Sequence, residues 1–95
     1  MKLISITSSD KPDKKLMAKF ENNGRTKTIH FGQKNADDYT ITKDKEQRDR
    51  YRTRHKKDLE TNDPTRAGYL SYYILWGDST SRQKNISDYK KRFNL

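Results

Sequence analysis

The sequence predicts an α+β domain, an N-terminal antiparallel sheet of about three strands packed on two or three C-terminal helices. Three observations point there. An Asn-Gly pair separates two alternating segments, the mark of a β-hairpin, because both central residues of a type I′ turn need positive φ. Asp63-Pro64 stands ahead of the apolar stretch Tyr69 to Trp76 as a helix start. All strand signals precede the helical ones, and that order argues for α+β.

The first strand is KLISIT, with Ile4 and Ile6 on one side of an alternating pattern, and the polar SSDKPDKK that follows is a turn-rich connection. KLMAKFE (15–21) and RTKTIHF (25–31) are the hairpin strands. With Asn23 and Gly24 at the turn centre, Asn22 faces Arg25, Phe20 faces Lys27, Ala18 faces Ile29 and Leu16 faces Phe31. These pairs share a face that a helix should cover. The other face sets Lys19 beside Thr28, Met17 beside His30 and Glu21 beside Thr26, a largely polar surface that is wet or used for contact.

FGQKNADDYTIT is expected as a loop ending in a short extended piece at Tyr39 to Ile41, after which Thr42 caps a basic helix over KDKEQRDRYRTRHKK (43–57). Asp44 and Glu46 fall in its first turn and cations crowd its end, as a helix dipole favours. A second helix takes Asp63 as N-cap and Pro64 as its first residue, and stops at Gly77. From Tyr69 to Trp76 it is apolar nearly all round, which makes it the core helix. A third helix, starting at Ser79 or Thr80, directs Ile86, Tyr89 and Phe93 inward and leaves Arg82, Lys84, Lys90 and Arg92 mostly outside. No repeat or linker interrupts the chain, so residues 1–95 read as a single small basic domain.

Leu, Ile and Phe make only 15 of the 95 residues and Val is absent, so the core has to draw on six Tyr, three Phe and one Trp. No apolar run approaches the length of a membrane span, and MKLISITSSDKPDKK lacks a signal peptide's apolar stretch. Without Cys there is no disulfide framework, thiolate metal site or thiol nucleophile. A cell interior is the expected place, without secretion or membrane attachment. Lys and Arg outnumber Asp and Glu by 22 to 13, and the net charge of +9 favours attraction to polyanions.

No catalytic constellation is evident. His30 and His55 lie in different elements with no metal-binding spacing, His30 as a cross-strand neighbour of Met17 and His55 as a polar residue on a wet helix. Most carboxylates have a basic neighbour or a capping position, which keeps them ionised rather than ready to donate a proton. Asp37-Asp38 could supply half of a hard-cation site, but further oxygen ligands at defined spacing are missing. Neither a Gly-rich phosphate loop nor a G-x-S-x-G elbow is present. An enzyme is not expected, nor any cofactor or metal.

What remains is a surface for contact. From Arg48 to Lys57 there are six Lys or Arg and one Asp, and such residues neutralise phosphates and release counterions. The residues expected to touch nucleic acid or a partner are Lys19, Arg25, Lys27 and His30 on the sheet, with Arg48, Arg50, Tyr51, Arg52, Arg54, Lys56 and Lys57 on the helix. Arg48, Arg52 and Lys56 form one row of that helix; Arg50, Arg54 and Lys57 lie elsewhere. A charge run is usually a solvated face, with Glu46-Arg50 and Asp49-Arg52 as ordinary helix pairs. Tyr69, Tyr72, Tyr73 and Trp76 suit a core better than a base-stacking platform, Tyr72 being the member to test for contact.

Taken in order, KTIHFG, DDYTITKDKEQRDRYRTRHKK, NDPTRAGYLSYYILW and ISDYKKRF resemble a family of small uncharacterised proteins encoded by giant nucleocytoplasmic large DNA viruses of algae and protists. The similarity runs from about Leu16 to Phe93. It implies a virus-encoded protein of the virion or the host cell interior and carries over no catalytic residue. Two functions are expected on that footing: a basic protein on viral nucleic acid, or a minor capsid or cementing protein that meets other virion proteins.

Overall fold

A computed structural model describes residues 1–95. Strands β1 (Lys2–Ser8), β2 (Lys14–Asn22) and β3 (Arg25–Gln33) come first, followed by helices α1 (Tyr39–Thr42), α2 (Lys45–His55), α3 (Ala67–Leu70) and α4 (Arg82–Arg92). A 3₁₀ segment, Lys56–Thr61, continues α2, and a π-helical turn, Ser71–Leu75, prolongs α3. The α+β order is the one the sequence signals require. No helix is long and apolar enough to cross a membrane.

The antiparallel sheet runs β1-β2-β3. Asn23 (φ 53°) and Gly24 (φ 80°) supply the two positive φ values of the hairpin turn. That turn sets the register, Asn22 opposite Arg25 through Leu16 opposite Phe31, as expected. In β1 the register shifts between Leu3 and Ser5. This bulge breaks the alternation, so Leu3 and Ile6 face the core while Ile4 is exposed, and Ile4 and Ile6 do not share a side.

One face of the sheet is covered. Leu3, Leu16, Ala18, Phe20 and Phe31 meet Tyr69, Leu70, Ile74, Leu75 and Trp76 of the α3 segment and Tyr89 of α4. Gly32, at φ +77°, lets β3 approach closely, since a Cβ there would lie 2.7 Å from Leu75 Cδ1. The opposite face, with Lys19, Glu21, Thr26 and Thr28, is bare and exposed.

The core helix starts later than Asp63-Pro64 suggests. Asp63 Oδ1 accepts from the backbone N–H (2.9 Å) and the hydroxyl (2.6 Å) of Thr65, which makes an Asx turn instead of a cap and holds the carboxyl below its usual range. The Tyr89 hydroxyl donates to the carbonyl of Pro64, the acceptor that a helix beginning there would need. Helical structure therefore begins at Ala67. At its far end Trp76 N donates to Ser71 O at 3.0 Å, an i to i+5 bond that adds one residue to the turn.

The third helix is likewise capped late, at Ser81, whose Oγ accepts from Lys84 N at 3.2 Å. Asn85 explains the delay. Its Nδ2 donates to Ile74 O (2.9 Å) and Ser79 O (2.7 Å) while its Oδ1 accepts from Ser79 N (3.0 Å), so Ser79 and Thr80 are held in a loop. Gly77 fits that loop because a Cβ would lie 2.1 Å from Tyr73 O.

The largest departure from expectation is at Asp38. Tyr39 to Ile41 is a helical turn, not an extended piece, and Asp38 caps it by accepting from Thr40 N at 2.9 Å. The carboxylate is 1% exposed and receives Lys15 Nζ of β2 at 2.6 Å and Arg82 Nη2 of α4 at 3.2 Å. Arg82 thus turns inward, and Asp38 is committed to two cations of the chain itself instead of half a metal site. Asp44, not Thr42, caps α2, accepting from Glu46 N and Gln47 N.

Burial disfavours the charge of Asp38, yet hydrogen bonds from Lys15 and Thr40 and the charges of Lys15 and Arg82 outweigh it and hold the carboxyl below its usual range. A depressed folded pKa contributes stability above the unfolded value of about 3.9, lost as pH falls through the folded one. Asp38→Ala is expected to cost about 3 to 5 kcal/mol in urea unfolding, because it strands two cations. Asp38→Asn should flatten the acid limb of a stability-versus-pH curve.

Candidate nucleic-acid interface

Helix α2 has no buried residue, yet one of its faces lies against the protein. Arg48, Tyr51, Arg52 and His55 recur at three- and four-residue spacing and share that face. Arg52 Nε donates to the carbonyl of Trp76 at 2.8 Å, its Nη2 to Asp78 at 3.0 Å, and its guanidinium lies 5.3 Å from the Tyr72 ring centroid. Arg48 lies 5.0 Å from the ring centroid of Tyr39 and donates to Asp49.

Tyr51 is nearly parallel to Trp76, with centroids 4.3 Å apart and 9° between planes, and His55 stacks on Tyr51 at 4.1 Å. The three rings form one stack. His55 Nδ1 lies 3.1 Å from Asp58 Oδ2, which fixes the imidazole further. Burial and the Asp58 carboxylate push the Tyr51 phenol up, offset in part by Ser71 and Arg54. So His55 is not simply a wet polar residue, and Arg48 and Arg52 are not free for a ligand. A helix without aliphatic side chains docks through planar groups, the guanidinium covering rings and donating to carbonyls.

The outward face is different. Arg50 and Arg54 are exposed, with no carboxylate within ion-pair distance. The same holds for Lys56 and Lys57, which belong to the 3₁₀ segment and not to α2. The expected pair Glu46-Arg50 does not form, and neither does Asp49-Arg52, because Arg52 is engaged by Trp76 and Asp78 and Asp49 takes Arg48.

The sheet residues do not join this surface. Lys19 and His30 lie on the bare face, across the sheet from the helical layer that carries α2, and Arg25 is exposed at the hairpin end. His30 Nδ1 is 2.7 Å from Ser9 Oγ. Lys27 belongs to the covered face, where its Nζ donates to Thr65 Oγ1 at 3.4 Å. Tyr72 is half-buried beneath Arg52.

Beside α2 opens a cleft of about 400 Å³, lined by Trp76, Tyr51 and His55 together with Phe31, Leu75 and Lys14. Its lining is drawn from β2, β3, α2 and the α3 segment, a non-local grouping that sequence spacing does not display. The Asp38 junction, by contrast, left a readable trace. Asp38-Tyr39-Thr40 and Asp63-Pro64-Thr65 share an Asp-x-Thr spacing, and in both the carboxylate accepts from the Thr backbone and hydroxyl.

The sequence model of a family of unknown function (DUF5754) matches residues 4–55, just over half of the chain. The chain belongs to that family. No curated protein and no solved structure matches it. The matched segment takes in the sheet from Ile4, α1 and all of α2, and ends at His55.

The two faces of α2 should separate in urea unfolding. Arg52→Gln is expected to cost about 1.5 to 3 kcal/mol, the contribution of a charged hydrogen bond. Arg50→Gln and Arg54→Gln should stay within about 0.5 kcal/mol of the parent.

Proposed function

We propose that this chain is a non-enzymatic basic binding module that holds nucleic acid by its phosphates, through Arg50, Arg54, Lys56 and Lys57. The division of cations carries the reading. Arg48 and Arg52 are spent on Tyr39 and Trp76, whereas these four are exposed and unpaired in eight consecutive residues. Exposed cations without carboxylate partners exchange small anions freely, and a polyphosphate that replaces several at once gains from their release. A net charge of +9 adds long-range attraction. The resemblance to proteins of large DNA viruses supports viral nucleic acid as the proposed polyanion.

A second reading, a minor capsid or cementing protein, is favoured by the bare sheet face and the two unpaired edge strands, β1 and β3. A protein partner would add to that side. It would persist at fixed stoichiometry in purified shells after DNA removal, whereas a nucleic-acid-bound protein would leave with the genome.

Fluorescence anisotropy of labelled DNA, titrated with salt, tests the first reading. Each lost phosphate contact should lower the log-log salt slope by about 0.7 to 0.9, so the triple change Arg50→Gln, Arg54→Gln and Lys57→Gln is expected to lower it by about 2 to 3. Arg48→Gln should leave the slope unchanged. Undetectable binding at low salt, or a slope indifferent to the triple change, contradicts the assignment.

A further inference from the structure

Phosphate contacts leave the cleft beside α2 unexplained. Arg54 and Lys56 are the chain neighbours of His55, and His55 lines the cleft, so the free cations and the cleft share one helical segment while the cations themselves stay outside the lining. The volume, about 400 Å³, is that of a small-ligand site.

The lining favours a neutral planar group over a phosphate. Asp37, Asp38 and Asp58 all border the cleft, and only Asp38 is paired with two cations. With Lys15 held by Asp38, a second phosphate there would meet the carboxylates of Asp37 and Asp58 against the single unpaired cation Lys14. The accessible aromatic surface is that of His55 and the edge of Tyr51, backed by the nearly buried Phe31, Leu75 and Trp76, and Ser71 and Asp58 supply polar atoms.

His55 is the fixed point. Its ring is pinned against Tyr51 and its Nδ1 is tied to Asp58, while no group of the chain takes its Nε2. Nε2 is therefore free to bond the edge of a ligand. Asp58 has lone pairs left to accept from an amino group, which adenine, cytosine and guanine carry and thymine lacks. In a duplex both the base faces and the pairing edge are occupied; in a single strand they are available.

Resting on the phosphate-binding reading, we infer that the cleft takes one unpaired amino-bearing nucleobase against His55 and that the preferred nucleic acid is single-stranded. Phosphates lie on Arg50, Arg54, Lys56 and Lys57, and the base enters between the aromatic wall and Lys14.

Trp76 is the single tryptophan and lines the cleft, so its fluorescence reports occupancy. The parent protein would be titrated with a single-stranded oligo-dC, an oligo-dT and an abasic strand of equal length, and with duplex DNA, following Trp76 emission and anisotropy together. Oligo-dC should change the emission and bind about tenfold more tightly than the abasic strand, with oligo-dT weaker than oligo-dC. His55→Ala and, independently, Ala67→Phe at the cleft wall should remove that advantage and leave duplex binding unchanged. Equal, salt-dependent binding of all strands with constant emission overturns the cleft assignment and leaves the phosphate reading standing. No binding of any strand at low salt takes down both.

Discussion

A carboxylate that is 1% exposed keeps its charge only if cations stay beside it, and Asp38 therefore constrains everything attached to Lys15 and Arg82. Lys15 belongs to β2 and Arg82 to α4, while Asp38 itself starts α1. One charge thus joins the sheet to both ends of the helical layer. Ion pairs of this kind offset their own desolvation more than they add net stability. What they contribute here is arrangement.

Scarcity of aliphatic residues explains why the fold relies on such junctions. With only 12 Leu and Ile in 95 residues, the apolar core lies mainly under the α3 segment and α4 and reaches α2 only through Tyr51. That helix is held instead by Tyr51 on Trp76 and by Arg52 on a backbone carbonyl, and Arg92 covers Tyr73 in the same manner at 4.9 Å. Guanidinium groups are suited to this because they are flat, weakly hydrated and present several donors in one plane. Cations used inward are withdrawn from solvent contact, and those left outside become a compact, unpaired cluster. The proposed phosphate surface is in this sense what remains after α2 has been docked.

The hairpin was legible down to individual residue pairs because a side-chain period of two and an Asn-Gly turn leave a single register that buries Phe20 and Phe31. The bulge in β1 was not. It answers the packing of Leu3 and Ile6 against distant helices, which local alternation does not encode. Asp63 and Asn85 displaced both helix starts through side-chain bonds to the backbone, and Tyr89 reinforced the first from 25 residues away. On α2 the row of Arg48 and Arg52 was visible, but hydrophobic periodicity counts arginine as solvent-facing and so misses a face docked by guanidinium groups. The cleft escaped for a simpler reason: its walls come from distant parts of the chain.

Side-chain NMR reads the partition of arginines on α2 directly. The Nε–H signals of Arg48, Arg50, Arg52 and Arg54 would be followed while a single-stranded oligonucleotide is added at low salt. Arg50 and Arg54 are expected to shift, while Arg52, bound to Trp76 O at 2.8 Å, stays protected and unmoved. Shifts confined to Arg25 and the bare sheet face, with all four α2 arginines still, would contradict the proposed phosphate surface.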